Sequence, residues 1–255
     1  MKDRLAERVE QVRLSDTDLA ASVQVEPIPP SVLTTVRTAL LGGETHYTSR
    51  PGIPELRQRL AEEVQRLGGP SYDSDAIVVT NSEREALYVV LLAMRFELGE
   101  VLVSAADTSR HVRLFRLCQL CPIPVTRPPV STPLTRLIYR EWPGNRDEHE
   151  SLCILASGTK RSVSQGIVDV VDIVDMGARL GKAPTDFPPL TVDQTILIGN
   201  LESLRGMESF GLGFIAGPKK AIGPIRTWKQ ALSICTSAPS QRAAIAAIDL
   251  SIRDA

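Results

Sequence analysis

The alternation of short apolar runs with helix-length segments constrains the fold of this chain most. Residues 76–80 form a β-branched run, Asn81-Ser82 is typical of a helix-capping turn, and 83–94 is a largely apolar helical segment. The order of strand, helix and strand repeats over 100–103, 107–120 and 123–125. This alternation predicts an α/β fold with a mainly parallel sheet and helices on both faces.

Further segments extend the same pattern along the chain. Apolar residues at helical spacing predict a helix over 56–67, which ends at the Gly-Gly-Pro of residues 68–70. Additional strands are predicted at 137–139, 152–155, 167–174, 195–198 and 211–217, and helices at 221–232 and 241–252. The Pro-rich stretch 126–150 gives no clear pattern outside 137–139.

Composition and charge exclude several functional classes. The 255 residues carry 29 Lys or Arg against 30 Asp or Glu, so the net charge of −1 provides no basic surface for nucleic acid. No apolar run approaches the roughly 20 residues that span a bilayer. The first residues are charged and do not resemble a secretory signal. We therefore expect a cytoplasmic protein that binds neither nucleic acid nor membrane.

Cysteine and histidine spacing predicts no metal site. Cys118 and Cys121 are the one pair with ligand or redox spacing, but a zinc site would need a second pair. Apolar neighbours favour buried, structural thiols at both positions. The histidines are scattered along the sequence, at His46, His111 and His149.

Two blocks of residues resemble the class I/II aminotransferases, the fold type I enzymes that use pyridoxal phosphate. The first block is Tyr47-Thr-Ser-Arg-Pro-Gly52 with residues 54–57, followed by 77–81 and Glu85-Ala86-Leu87. The second block comprises 196–200, Gly206, 211–218 and 237–241. The resemblance covers about residues 23–249 and implies a large domain over 46–255, preceded by an N-terminal helical arm over 1–45. It also implies that the family's C-terminal small domain, with its substrate-binding arginine, is missing.

The resemblance assigns several residues to the cofactor. Tyr47 has the position at which relatives present a tyrosine to the cofactor phosphate of the neighbouring subunit. The turn of Ser82, Glu83 and Arg84 corresponds to the phosphate cradle, where helix N-terminal N–H groups favour an anion. Asp175 corresponds to the aspartate that keeps the pyridine nitrogen protonated. An ordinary capped helix start, a packing tyrosine and a solvated aspartate remain the alternatives.

Other cofactor positions depart from the family pattern. On the turn that begins at Asn200, which the resemblance also assigns to the cofactor, Ser203 stands where the Schiff-base lysine belongs. Gly211 stands where a phosphate-binding arginine belongs. Thr108 replaces the aromatic residue that stacks on the pyridine ring, and the anionic Glu83 would oppose a phosphate. The Ser-Gly-Thr-Lys sequence ending at Lys160 has the appearance of a Schiff-base turn, but no family motif follows it at the right distance.

These departures favour a degenerate, non-catalytic relative that serves as a structural, regulatory or partner-binding subunit. We expect no cofactor, and a homodimer or a complex with another protein. The alternative is a pyridoxal-phosphate-dependent aminotransferase or related transferase with an atypical site, in which case pyridoxal phosphate would be bound.

Overall fold

The computed structural model describes residues 27–95, 98–103, 111–125, 131–143, 167–181, 187–188, 190, 193–204 and 206–254. Within these ranges one seven-stranded sheet forms the centre of the fold. Its strands are β1 (Ile77–Thr80), β2 (Gly99–Val103), β3 (Leu120–Pro124), β4 (Thr135–Trp142), β5 (Val168–Ile173), β6 (Thr195–Asn200) and β7 (Gly213–Ala216).

The strand order is β1-β7-β6-β5-β4-β2-β3. Strand β7 is antiparallel to both of its neighbours, and every other pairing is parallel. Six strands therefore run in one direction, which confirms the prediction of a mainly parallel sheet. The carboxyl ends of these strands lie at one edge, where open α/β sheets bind their ligands.

Helices cover both faces of the sheet, as predicted. The described helices are α1 (Pro30–Leu41), α2 (Pro54–Arg66), α3 (Glu83–Met94), α4 (Val112–Leu117), α5 (Met176–Arg179), α6 (Lys219–Ser233) and α7 (Ala238–Arg253). One apolar core contains buried side chains of α1, α2, α5 and α7, and the core on the opposite face contains those of α3, α4 and α6.

Local sequence explains where the main helices begin and end. Pro54 begins α2, since its fixed φ and missing N–H suit a first helical turn, and Gly68 follows the helix with a φ of 95°. Ser82 caps α3 by accepting a hydrogen bond from the N–H of Glu85 at 3.0 Å. The capping turn and the bounds of α3 agree with the sequence prediction.

Two predictions about the 107–125 region were wrong. Helix α4 ends at Leu117, and β3 begins at Leu120, because Gln119 has a φ of 62° that reverses the chain between them. Cys121 is exposed rather than buried, because β3 is the edge strand of the sheet. Cys118 is half-buried.

Two other sequence predictions concern residues that lie partly or wholly outside the described ranges. The strand predicted at 152–155 lies outside them. Of the predicted N-terminal arm, 27–45 are described, and α1 packs there against α7. In the described part of the chain, no helix combines the length and apolar character needed to cross a membrane.

Candidate functional site

Five polar side chains meet at the carboxyl edge of the sheet, and we call them the buried polar cluster. They come from the first turn of α3, the N-cap of α4, and strands β4, β5 and β6. The members are Glu83, His111, Tyr139, Asp172 and Asn200, none of them more than 5% exposed. Each of these buried polar groups needs a hydrogen-bond or ionic partner, since a buried polar group without one lowers the free energy of unfolding.

Hydrogen bonds within the cluster join the sheet to the two helices α3 and α4 on one of its faces. The Nε2 atom of His111 lies 3.0 Å from Oε1 of Glu83 and 3.7 Å from Oδ2 of Asp172. The amide of Asn200 donates to Oε2 of Glu83 at 2.9 Å, and the Tyr139 hydroxyl donates to Oδ2 of Asp172. These side-chain contacts link α3 to β6 and to α4. They also link α4 to β5, and β5 to β4.

Burial and proximity of charges shift the acidity of these groups. Burial raises the pKa of Asp172 to about 7, aided by the charge of Glu83 and opposed by hydrogen bonds from His111 and Tyr139. Burial lowers the pKa of His111, but the nearby carboxylates of Asp172 and Glu83 outweigh this effect, so its pKa lies above the ordinary value. Burial, with the charge of Asp172, raises the pKa of Tyr139 well above its usual range. Asp172, His111 and Tyr139 therefore bind their protons more tightly here than in water.

The Ser82 turn faces this cluster at the N-terminus of α3. Glu83 is 4% exposed and points into the cluster, whereas Arg84 is exposed. A Cβ on Gly213 would lie 2.5 Å from the carbonyl carbon of Ser82, so glycine is required where β7 passes the turn. The Cβ position of Gly211 lies 3.1 Å from the carbonyl oxygen of Asn81, which places that residue beside the same turn.

The structure brings Asp172, rather than Asp175, to the buried polar cluster. Asp175 is exposed and precedes α5 with a φ of 52°. Asp172 lies near the end of β5 and is fully buried. Asp172 and Asp175 are three positions apart in the sequence, so an alignment made from sequence alone can assign the role of one to the other.

Ser203 lies on the turn after β6 and has a structural partner. Its hydroxyl accepts a hydrogen bond from the N–H of Ala178 at 3.1 Å, close to the start of α5. A Cβ on Gly177 would lie 2.5 Å from the backbone nitrogen of Leu204, so α5 packs directly on this turn. The hydroxyl of Ser203 therefore helps to hold α5, the helix that follows Asp175.

The remaining predicted positions lie apart from the cluster or outside the described residues. Tyr47 is 80% exposed. The next residue is fixed, because Gln241 donates to the Thr48 hydroxyl at 3.2 Å and that hydroxyl donates to the carbonyl of Thr236. Thr108 and Lys160 lie outside the described ranges.

His111, Tyr139 and Asp172 are the cluster members that sequence reasoning did not assign to a site. The signal available for Asp172 was an aspartate near the carboxyl end of an apolar parallel strand, a position that often contributes to ligand sites. Tyr139 and His111 carry no comparable local signal, because only the sheet order places β4 beside β5 and brings α4 over both.

Sequence comparisons find aminotransferases, although no family model matches the chain. The chain is 23% identical to an aspartate aminotransferase of Rhizobium meliloti, over 87% of this chain and 58% of the relative. It is 35% identical to an aspartate/prephenate aminotransferase of Thermus thermophilus, over 36% of this chain and 25% of that protein. The chain thus spans about three fifths of the first of these relatives and a quarter of the second.

Solved structures with the same fold are also aminotransferases. An aspartate aminotransferase variant from Thermus thermophilus matches with a TM-score of 0.76 and 23% identity, covering 95% of this chain and 74% of that one. The aspartate aminotransferase of Thermotoga maritima matches with a TM-score of 0.74 and 19% identity, with the same coverage. In sequence the chain is similar to aminotransferases, and in fold it matches the aspartate aminotransferases.

Proposed function

We propose that this chain is a degenerate, non-catalytic relative of the aminotransferases, acting as a structural, regulatory or partner-binding subunit. The observation that carries the proposal is the position of Glu83. Its carboxylate lies buried in the turn that the family resemblance assigns to the cofactor phosphate, and it is hydrogen-bonded to His111 and Asn200. A phosphate at this turn would meet a fixed negative charge, so the residues present do not fit pyridoxal phosphate.

Ser203, on the turn after β6, supports the same conclusion. A covalent link to the cofactor requires an amine at this position, whereas the serine hydroxyl is occupied as an acceptor for Ala178. The loss of the amine and the presence of the Glu83 carboxylate are independent departures. Together they remove both the covalent and the ionic attachment that the family resemblance implies.

Tyr47 supports a role in association. A tyrosine that is 80% exposed beside a fixed backbone presents a large apolar and hydrogen-bonding surface at little entropic cost. Leu40 and Leu41, at the end of α1 a few residues earlier, are also exposed. We propose that this segment contacts a second copy of the chain, since two-fold dimers are the commonest closed assemblies.

The cofactor experiment tests the absence of catalysis directly. The protein is incubated with pyridoxal phosphate, reduced with borohydride and mapped by peptide mass spectrometry. We expect no stoichiometric adduct on any single lysine. The double variant Glu83→Ala/Ser203→Lys should gain a reducible absorption band in the visible, and Glu83→Ala alone, its matched control, should not.

Lys229 is the lysine to inspect for the alternative, a transferase with an atypical site. It is 1% exposed on α6, its Nζ has no hydrogen-bond partner among the described residues, and burial lowers its pKa. A buried lysine whose pKa is lowered is a candidate for forming a Schiff base. A stoichiometric adduct that Lys229→Met removes would favour the transferase and overturn the non-catalytic proposal.

Sedimentation velocity tests the association. We expect the wild-type protein to sediment as a dimer or larger species at micromolar concentration, and Tyr47→Ala to weaken that assembly. Tyr88→Ala, which removes a half-buried tyrosine of α3, serves as the control for loss of an aromatic side chain. A wild-type monomer at this concentration would refute self-association through Tyr47.

A further inference from the structure

We propose that the buried polar cluster binds one divalent first-row transition metal ion, with Glu83, His111 and Asp172 as protein ligands. This inference goes beyond the proposed function, which assigns no ligand to the cluster. The sequence predicts no metal site, because its histidines have no ligand spacing, but the fold assembles these three residues from α3, α4 and β5. One potential ligand atom from each residue lies within 4.8 Å of the other two.

The distances between ligand atoms suit a common ion. Two ligand atoms that each lie about 2.1 Å from a tetrahedral zinc ion are about 3.4 Å apart. The observed separations from Nε2 of His111 are 3.0 Å to Glu83 and 3.7 Å to Asp172, on either side of this value. Only small side-chain movements would admit an ion between the three groups.

Two buried oxygen atoms in the cluster have no hydrogen-bond donor among the described residues. They are Oδ1 of Asp172 and Oδ1 of Asn200, in side chains that are 0% and 5% exposed. Buried acceptors of this kind are costly, and each unsatisfied one requires an explanation. A cation bound between the three ligands would satisfy the Asp172 oxygen.

Hydrogen bonds from outside the ligand set hold both carboxylates in place. The Tyr139 hydroxyl donates to Asp172, and the Asn200 amide donates to Glu83. Metal ligands in proteins are generally oriented by such outer partners, whose removal typically weakens metal binding about 10- to 100-fold. The cluster thus has outer contacts as well as ligands.

The donor set and its charge favour a transition metal over Mg²⁺ or Ca²⁺. An imidazole nitrogen suits Zn²⁺, Fe²⁺ or Cu²⁺, whereas Mg²⁺ and Ca²⁺ prefer oxygen ligands throughout. Two carboxylates neutralise a divalent ion, so the occupied site would carry no net charge at a position from which water is excluded. We take Zn²⁺ as the probe.

Calorimetric titration of the whole chain with Zn²⁺ tests the site, after dialysis against EDTA and then against chelator-free buffer. We expect one equivalent to bind and Mg²⁺ to give no comparable heat. His111→Gln should weaken Zn²⁺ binding at least about tenfold, whereas His46→Gln, the same change at an exposed histidine, should leave it unaltered. The double variant Cys118→Ser/Cys121→Ser should also bind as wild type, since its thiols are the rival zinc ligands.

Co²⁺ spectra of the wild-type protein keep the test decisive if His111→Gln does not fold. Visible d–d bands without sulfur-to-metal charge transfer are expected for nitrogen and oxygen ligands. Failure of wild type to bind one equivalent, equal affinity in a folded His111→Gln, or thiolate charge-transfer bands would each overturn the proposal. None of these outcomes depends on whether the chain binds pyridoxal phosphate, so the two proposals can fail separately.

Discussion

Asp169→Asn should strongly destabilise the fold, because Asp169 is the buried partner of a buried arginine. The Arg140 guanidinium contacts both carboxylate oxygens, with 3.0 Å from Nε to Oδ1. Thr195 donates a further hydrogen bond to Oδ2 at 2.8 Å. The arginine and aspartate are 1% and 2% exposed, respectively, so water cannot replace the missing charge.

The expected loss is about 3 kcal/mol of unfolding free energy. Removing one partner of a buried ion pair costs about 3–5 kcal/mol, because the remaining charge loses the counter-charge that offsets its burial. Asparagine has nearly the volume of aspartate and keeps one acceptor oxygen, so the change creates no cavity and lies at the lower end of that range.

Urea unfolding at neutral pH measures the effect. With a slope of about 3 kcal/mol per molar urea, the midpoint should fall by about 1 M while the slope stays constant. Glu44→Gln provides the control, since Glu44 pairs with Arg242 at 2.7 Å on the surface, where an ion pair contributes less than about 1 kcal/mol. A second variant, Arg140→Met/Asp169→Leu, should recover much of the loss because it buries no charge.

A loss below about 1 kcal/mol for Asp169→Asn would refute this reasoning, since it would mean that the charge of Arg140 is compensated in the native protein without Asp169. A double variant no more stable than Asp169→Asn would instead indicate that the charge pair specifies the packing of β4 against β5.

Three further predictions concern single side chains. Tyr72→Phe should stabilise the protein by up to about 1 kcal/mol at pH 7, because the buried hydroxyl has no partner among the described residues. Burial raises the pKa of Tyr72 to about 12, so wild type should lose stability as pH rises from 10 to 12, a loss that Tyr72→Phe lacks. Burial also raises the pKa of the Cys118 thiol, so iodoacetamide at pH 8 should modify it several times more slowly than the exposed Cys121. Ser203→Ala should cost less than about 1 kcal/mol in thermal unfolding, since the N–H of Ala178 keeps a second acceptor, the carbonyl of Asp175 at 3.0 Å.

Each of these predictions has a contrary result. Destabilisation by Tyr72→Phe at pH 7 would mean that its hydroxyl has a hydrogen-bond partner. Equal alkylation rates at Cys118 and Cys121 would show that α4 opens readily. A loss well above about 1 kcal/mol for Ser203→Ala would mean that the serine hydroxyl, rather than the Asp175 carbonyl, is the main acceptor for the N–H of Ala178.

Periodicity predicted most of the sheet because its strands are buried on both faces. Residues of β1 and β6 are buried throughout, so they appear in the sequence as continuous β-branched runs between turn residues. The end of α4 could not be read in the same way. Leu117 to Leu120 is apolar and fits a helical period, and only the positive φ of Gln119 separates helix from strand.

The candidate site could be predicted only in part, because its members are separated in sequence. Glu83 and Asn200 stand next to motifs that the family resemblance identifies, so both were assigned. Asp169 and Asp172 are both buried in β5 but lie three positions apart, so they face opposite sides of the sheet. Asp175 lies beyond the end of the strand. Sequence alone shows three similar aspartates, whereas strand pairing decides which one meets His111.

The placement of β7 has a consequence for how the chain is made. Strand β1 pairs only with β7 in the described structure, and its residue Ile77 lies opposite Ala216, more than half the chain away. On a translating ribosome, the fully buried strand β1 therefore emerges long before the strand that flanks it. Because β7 also separates β1 from β6, strand β1 can join the sheet only after the chain has been synthesised through Ala216. A nascent chain that stalls before β7 would expose an apolar strand edge that chaperones can bind.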